Sequence, residues 1–102
     1  MAWTQIGDES DVPVNSMYLY TVMGEGITVY HLAGDWYATA DRCTHQDCSL
    51  PEGDVEENEI VCACHGGAFD IRTGVATRMP CIEPLETYPI RVVEGRIEID
   101  FT

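Results

Sequence analysis

Tyr88-Pro89-Ile90-Arg91-Val92-Val93-Glu94-Gly95-Arg96-Ile97-Glu98-Ile99-Asp100-Phe101 is the stretch whose reading decides the fold. Ile97, Ile99 and Phe101 alternate with Glu98 and Asp100, and a period of two turns one side of an extended chain to the core and the other to water. Glu94-Gly95 breaks the alternation, and glycine supplies the positive φ of a tight hairpin turn. The spacing predicts strands over 88–93 and 96–101. Toward the N-terminus the same signals repeat. Residues 17–23 read as a strand, Gly24-Glu25-Gly26 as a turn and 27–32 as the returning strand. Ala33-Gly34-Asp35 reads as a second turn, and 36–40 continues the meander. No run of twelve or more residues shows helical period, and no repeat or low-complexity segment occurs. The expectation is an all-β fold of antiparallel strands.

Between Asp41 and Pro84 the alternation stops, and all five cysteines fall in that window. The chain therefore reads as one domain over 1–102, a β scaffold with a loop-rich insert over about 41–84. Loops on a rigid scaffold are where chemistry is usually carried. With 102 residues the core is modest, and a metal or a cross-link is a common supplement at this size. Hydrophobic residues make up 45% of the chain, enough for a folded domain.

No apolar run approaches the roughly 18 residues of a membrane span. The start, Met1-Ala2-Trp3-Thr4-Gln5-Ile6, has neither a basic region followed by an apolar one nor a twin arginine, so a soluble, cytoplasmic monomer is expected. Five Lys and Arg stand against 18 Asp and Glu, a net charge of −13. Such a chain repels phosphate backbones, which excludes nucleic-acid binding as its main function. Acidity of this size serves solubility, or steers the chain toward a basic partner.

Two clusters carry metal-binding chemistry: Cys43-Thr44-His45-Gln46-Asp47-Cys48 and Cys62-Ala63-Cys64-His65-Gly66-Gly67. Cysteines in a reducing compartment argue for metal or redox use before a disulfide framework. One Cys and one His from each cluster make a set of two sulfur and two nitrogen ligands. Three readings fit these residue types: a tetrahedral zinc site, buried thiols with satisfied imidazoles, and a [2Fe–2S] cluster with two His on one iron. The Cys-x-His spacing is unlike the His spacing of a zinc finger.

Cys43-x-His45 separated by sixteen residues from Cys62-x-x-His65 resembles the Rieske family. The resemblance extends over nearly the whole chain, with Met79-Pro80-Cys81 similar to that family's proline-containing covering loop. It implies an antiparallel β-sandwich with a small inserted cluster-binding subdomain, and one [2Fe–2S] cluster on Cys43, His45, Cys62 and His65. The cysteines would hold the inner iron and the histidines the outer. All coordination positions are then filled by protein, which implies an electron carrier rather than an enzyme. Two ferric irons, two sulfides and two thiolates sum to zero, and one electron takes the cluster to −1. The stretch Cys64-His65-Gly66-Gly67-Ala68-Phe69-Asp70-Ile71-Arg72-Thr73-Gly74 and the tail from Tyr88 to Gly95 resemble soluble ferredoxins of bacterial aromatic-ring dioxygenase systems. The implied partners are a flavin-dependent reductase and a terminal oxygenase. A small subunit of a complex such as nitrite reductase is the alternative, and such subunits often lack the ligands present here.

In high-potential Rieske proteins a Ser follows the His-Gly pair and a Tyr comes two residues later, both donating hydroxyl hydrogen bonds toward the cluster. Gly67 and Phe69 occupy those positions here. Without these donors the potential is expected near the low end of the family range, roughly −150 mV. Gln46, Asp47, Gly66 and Gly67 are candidates for the partner-facing tip. His31, Trp3 and Trp36 read as scaffold or core residues, and Cys81 as loop filling. Respiratory Rieske proteins also carry cysteines at the positions of Cys48 and Cys64, joined as a disulfide, and the resemblance implies the same pair here. The competing state is two free thiols in a reducing cytoplasm. Alkylation under denaturing, non-reducing conditions followed by mass measurement is expected to label three of the five thiols once the cluster is lost. Labelling of all five contradicts the disulfide.

Overall fold

The computed structural model describes residues 3–41, 54–61, 67–79 and 84–100. Among them are eleven strands in chain order: β1 (Trp3–Asp8), β2 (Ser16–Val22), β3 (Glu25–Leu32), β4 (Asp35–Ala40), β5 (Asp54–Glu56), β6 (Glu59–Val61), β7 (Ala68–Asp70), β8 (Ala76–Arg78), β9 (Thr87–Tyr88), β10 (Ile90–Val93) and β11 (Arg96–Asp100). One 3-10 turn, Glu9–Asp11, follows β1. Every strand pairing is antiparallel, and the all-β expectation is met. The strands form three sheets, in the orders β1-β11-β10, β2-β3-β4-β9 and β5-β6-β7-β8.

Three hairpins are closed by two-residue turns in which both residues have positive φ: Met23 and Gly24 (51° and 81°), Ala33 and Gly34 (52° and 88°), Glu94 and Gly95 (52° and 79°). That is the type I′ geometry, whose twist matches the flanking strands. The expected three-residue turns at 24–26 and 33–35 are therefore too long. Glu25, Gly26 and Asp35 are already paired in their strands. The expected strand over 88–93 is also corrected. Tyr88 pairs with Ala38 in the second sheet, whereas Ile90 pairs with Ile99 in the first. Pro89 lies between them, where a residue with no N–H leaves no ladder bond broken.

The first two sheets form a sandwich. Ile97 and Ile99 of β11 meet Ile27 and Val29 of β3, with Val12, Val22 and Ala38 completing the buried set. Trp36 packs against this core as expected. Trp3 does not join it: the residue is half-buried, with the Arg91 guanidinium 4.2 Å above its ring. The third sheet packs on the opposite face of the second. There Tyr30 joins Ile60, Phe69, Ile71 and Leu85 in one buried cluster. So β3 is covered on both sides, and Ile27, Thr28, Val29 and Tyr30 are all 0% exposed. The stretch expected to be a loop-rich insert thus carries a four-stranded sheet of its own.

His31 is a scaffold residue, as expected. Its Nδ1 donates to the Val12 carbonyl at 2.9 Å and its ring stacks on Trp36 at 4.0 Å.

Ala33 and Glu94 sit in the left-handed region, which Asn occupies several-fold more readily than other non-glycine residues. Ala33→Asn and Glu94→Asn are each expected to raise stability by about 0.5 kcal/mol. The readout is a higher urea midpoint at unchanged slope; a lower midpoint would contradict the turn assignment.

Candidate metal centre

One end of the third sheet is a single row of paired residues. Asp54 pairs with Val61, Val61 with Ala68, and Ala68 with Arg78. Three chain segments attach to this row. Residues 42–53 enter it at Asp54, 62–66 connect Val61 to Gly67, and 80–83 leave it one residue past Arg78, after Met79. The first segment carries Cys43, His45 and Cys48, the second Cys62, Cys64 and His65, and the third Pro80 and Cys81. All eight lie outside the described residues, as do Gln46, Asp47 and Gly66. What the structure brings together is their points of attachment. The segments that carry Cys43 and Cys62, residues 19 positions apart in the chain, attach to the same four-strand row. Among the described residues no group of three or more His, Cys, Asp or Glu could hold a metal.

Packing and backbone hydrogen bonds hold the row in place. Gly67 and Ala68 are buried, and Phe69, at 0% exposure, anchors the following position in the cluster with Tyr30, Ile60, Ile71 and Leu85. Full burial of a side chain of this size is worth about 1.5–3 kcal/mol. Gly67 was expected at an exposed tip; it is buried instead, because it leads directly into that anchored strand. The Tyr30 phenol is held by burial at a pKa of about 12. It lies 3.0 Å from Thr39 Oγ1, and that hydroxyl donates to the Ala40 carbonyl at 2.8 Å, so Tyr30 is the donor to Thr39. Tyr30 is thereby committed and does not replace the hydroxyl missing at Phe69.

A chain of backbone bonds ties the sheet to the scaffold. The Asp70 N–H donates to Val75 at 2.8 Å, and the Gly74 N–H to Asp70 at 2.7 Å, closing the turn between β7 and β8. Arg72 clamps it from outside, its Nε 3.2 Å and its Nη2 3.1 Å from the Asp70 carboxylate. The Arg72 guanidinium hydrogen bond holds the Asp70 carboxyl below its usual pKa. From the turn the Leu85 N–H donates to Gly74 at 2.6 Å, and the Ala40 N–H to Glu86 at 2.9 Å. The segment 84–86 thus bridges the third sheet to the end of β4, three residues before Cys43. Tyr30, Asp70, Gly74 and Leu85 were not singled out from the sequence. Asp70 and Gly74 bound a recognisable turn, but nothing local says that its tip receives Leu85.

The root of the first segment is acidic. Tyr88 is raised by burial, then by Glu86, Glu25 and Asp41. Among the described residues, Arg72 pairs with Asp70, and Arg78 with Glu56 and Glu59 at 3.7 and 3.5 Å. Two thiols and two imidazoles on segments attached at one sheet end are a donor set that fits a cluster taking both ligand types, and a sheet end tied by hydrogen bonds and packing fits a group that must be held in one geometry.

The comparisons with known proteins agree. A family model described as the Rieske [2Fe-2S] domain matches residues 2–89. The ferredoxin component of a naphthalene 1,2-dioxygenase system from Pseudomonas putida is 33% identical over 98% of this chain and 96% of its own. The ferredoxin component of a p-cumate 2,3-dioxygenase system, also from P. putida, is 42% identical over 76% of this chain and 66% of its own. The biphenyl dioxygenase ferredoxin subunit of Pseudomonas sp. strain KKS102 is 35% identical over 100% of this chain and 94% of its own. Among solved structures, the Sphingomonas yanoikuyae B1 ferredoxin superposes with a TM-score of 0.92 at 29% identity, over 99% of this chain and 100% of its own. A chain from a complex of reduced oxygenase and oxidized ferredoxin in carbazole 1,9a-dioxygenase gives 0.88 at 34%, over 95% and 91%.

Gly74 has φ +81°, and a Cβ there would land on the Leu85 carbonyl oxygen. Gly74→Ala is expected to lose at least about 2 kcal/mol of stability and to lower cluster content per chain. Gly34→Ala, also at positive φ but with nothing within 4 Å of its Cβ, is the control for backbone strain alone. Equal losses in urea midpoint and visible absorption for the two variants would contradict the bridge.

Proposed function

We propose a function from one premise: the chain belongs to the Rieske [2Fe–2S] domain family. It carries single electrons from a flavin-dependent reductase to the terminal oxygenase of an aromatic-ring dioxygenase system, and catalyses no reaction on the aromatic itself. Cys43 and Cys62 are the thiolate ligands of one [2Fe–2S] cluster, and His45 and His65 the imidazole ligands. When bound, such a cluster supplies a one-electron couple in which neutral imidazoles in place of two thiolates make reduction easier.

The convergence of three segments on one row of the third sheet carries this reading. The pairing of Val61 with Ala68 sets the separation of the chain ends on either side of 62–66, the segment that carries Cys62 and His65. The bond from Ala40 to Glu86 fixes the start of the segment holding Cys43 and His45. A firm frame serves an electron carrier, since ligands that hold their places between two charge states keep the rearrangement on transfer small. Names of the relatives add the system: each is called a ferredoxin component or subunit of a dioxygenase.

The chain's own charge describes its partners. At −13, with Glu25, Asp41 and Glu86 making no ion pair among the described residues, it favours basic docking surfaces. Opposite charges raise the rate of encounter more than the lifetime of the complex, which suits repeated delivery of one electron at a time. No helix among the described residues is long and apolar enough to cross a membrane, and a cytoplasmic site of action is part of this proposal.

Electron delivery from the chemically reduced protein to a terminal oxygenase tests the reading. The rate is expected to fall as salt rises, because the Debye length shrinks from about 10 Å at 0.1 M to about 3 Å at 1 M. His45→Ala and His65→Ala are expected to lose the cluster and all delivery, while His31→Ala keeps both. A salt-independent rate removes the steering claim, and a cluster that survives in both histidine variants removes the ligand assignment.

A further inference from the structure

Among the described residues six strands lie at sheet edges: β1 and β10, β2 and β9, β5 and β8. An edge strand offers unpaired backbone groups, and proteins usually blunt it with charge, proline, a bulge or brevity. Five of the six carry such a device. β1 shifts register between Gln5 and Gly7 and ends in Asp8. β10 carries Arg91. β9 has two residues and meets Pro89. β5 and β8 have three residues each and contain Asp54, Glu56 and Arg78.

β2 has none of these. It runs seven residues, Ser-Met-Tyr-Leu-Tyr-Thr-Val, in unbroken register against β3. It lies in a stretch from Val12 to Gly24 without one charged residue, in a chain that is 23% charged. The stretch also displays exposed apolar side chains: Val14, Tyr18, Leu19 and Met23, the last 78% exposed.

We infer that β2 is a pairing edge for a second copy of this chain, β2 against β2 in antiparallel register centred on Leu19. The backbone sets that register. The turn at Met23-Gly24 closes on Val22 and Glu25 as a hydrogen-bonded pair, so alternation directs Ser16, Tyr18, Tyr20 and Val22 toward β3. The N–H and C=O groups of Met17, Leu19 and Thr21 then point outward, and none of them has a backbone partner among the described residues. These three positions are symmetric about Leu19. In the two-fold arrangement Leu19 faces Leu19 of the other copy and Met17 faces its Thr21, so all outward groups are used in about six hydrogen bonds, two per facing pair. Tyr18 comes opposite Tyr20 of the second copy. The two four-stranded sheets become one continuous sheet.

Charge selects the second copy over a basic partner. A cationic surface is drawn to the acidic faces, not to a neutral strip. Two chains at −13 repel each other everywhere except where neither carries charge, and β2 provides that face. Screening therefore strengthens this association, opposite in sign to its effect on docking to a basic partner. The dimer replaces the monomer expected from the sequence at high concentration, and it does not depend on the proposed electron-transfer role.

Sedimentation velocity of the cluster-loaded protein, from micromolar to millimolar concentration and at low and high salt, tests the inference. A reversible monomer–dimer equilibrium is expected, with more dimer at high salt. Leu19→Lys and Thr21→Lys, each placing like charges near the two-fold axis, are expected to raise the dissociation constant tenfold or more. Val93→Lys, at a similarly exposed position on β10, leaves it unchanged. In the wild type, amide exchange at Leu19 and Thr21 is expected to slow as concentration rises, a readout that needs no variant. A monomer under all conditions, a dimer weakened by salt, or exchange at Leu19 independent of concentration overturns the inference.

Discussion

Burial of β3 on both faces is the constraint on which the rest of the molecule depends. Its side chains alternate, Ile27 and Val29 toward the sandwich and Thr28 and Tyr30 toward the third sheet. One strand therefore joins two hydrophobic cores that no other described strand shares so fully. If Tyr30 did not meet Phe69, Ile60 and Leu85, the third sheet would be a separate small sheet of three-residue strands, too short to stand alone. With that contact its end row becomes a fixed platform, and the segments bearing cysteine and histidine attach to a surface referenced to the scaffold. The bonds from Gly74 to Leu85 and from Glu86 to Ala40 reinforce the joint from the side.

The sequence makes some of this legible and hides the rest for physical reasons. Hairpins were readable because an X-Gly pair between alternating strands has a local meaning: Glu94-Gly95 is the turn expected, while the first two turns proved one residue shorter than the glycines and acids around them suggested. Strands β5 to β8 were not readable: three residues contain too few alternations to show a period. The change of sheet at Pro89 was hidden because both sides of it alternate alike. The candidate ligands were legible by spacing and residue type, which are chemical signals independent of fold. The platform beneath them was not, since Tyr30 and Gly74 act through partners distant in sequence. Gly67 illustrates the limit. Its neighbours in the motif suggested an exposed tip, but the pull of Phe69 into the core buries it.

The same placement bears on redox tuning. Phe69 is wholly buried in the cluster with Ile60, Ile71 and Leu85, and the Tyr30 hydroxyl donates to Thr39. In the proposed reading, a reduced cluster would receive no side-chain hydroxyl from position 67 or 69, and a low potential is the expectation. The surface is organised by sign as well. Among the described residues, Glu25, Asp41 and Glu86 lie near the root of the segment that carries Cys43 and His45, while the long uncharged strand β2 lies on a sheet edge. In the proposed account, partner docking and self-association fall on different parts of the chain and are expected to respond to salt in opposite directions.

The central claim is that two thiolates and two imidazoles hold a [2Fe–2S] cluster on this frame. The most direct test is electron paramagnetic resonance of the dithionite-reduced protein, with nitrogen hyperfine coupling resolved and metal content measured on the same sample. The account predicts iron and sulfide with no zinc, a rhombic signal of low average g, and coupling to imidazole nitrogen that disappears in His45→Ala and His65→Ala. A colourless zinc protein, or an iron–sulfur signal with no nitrogen coupling, would contradict it.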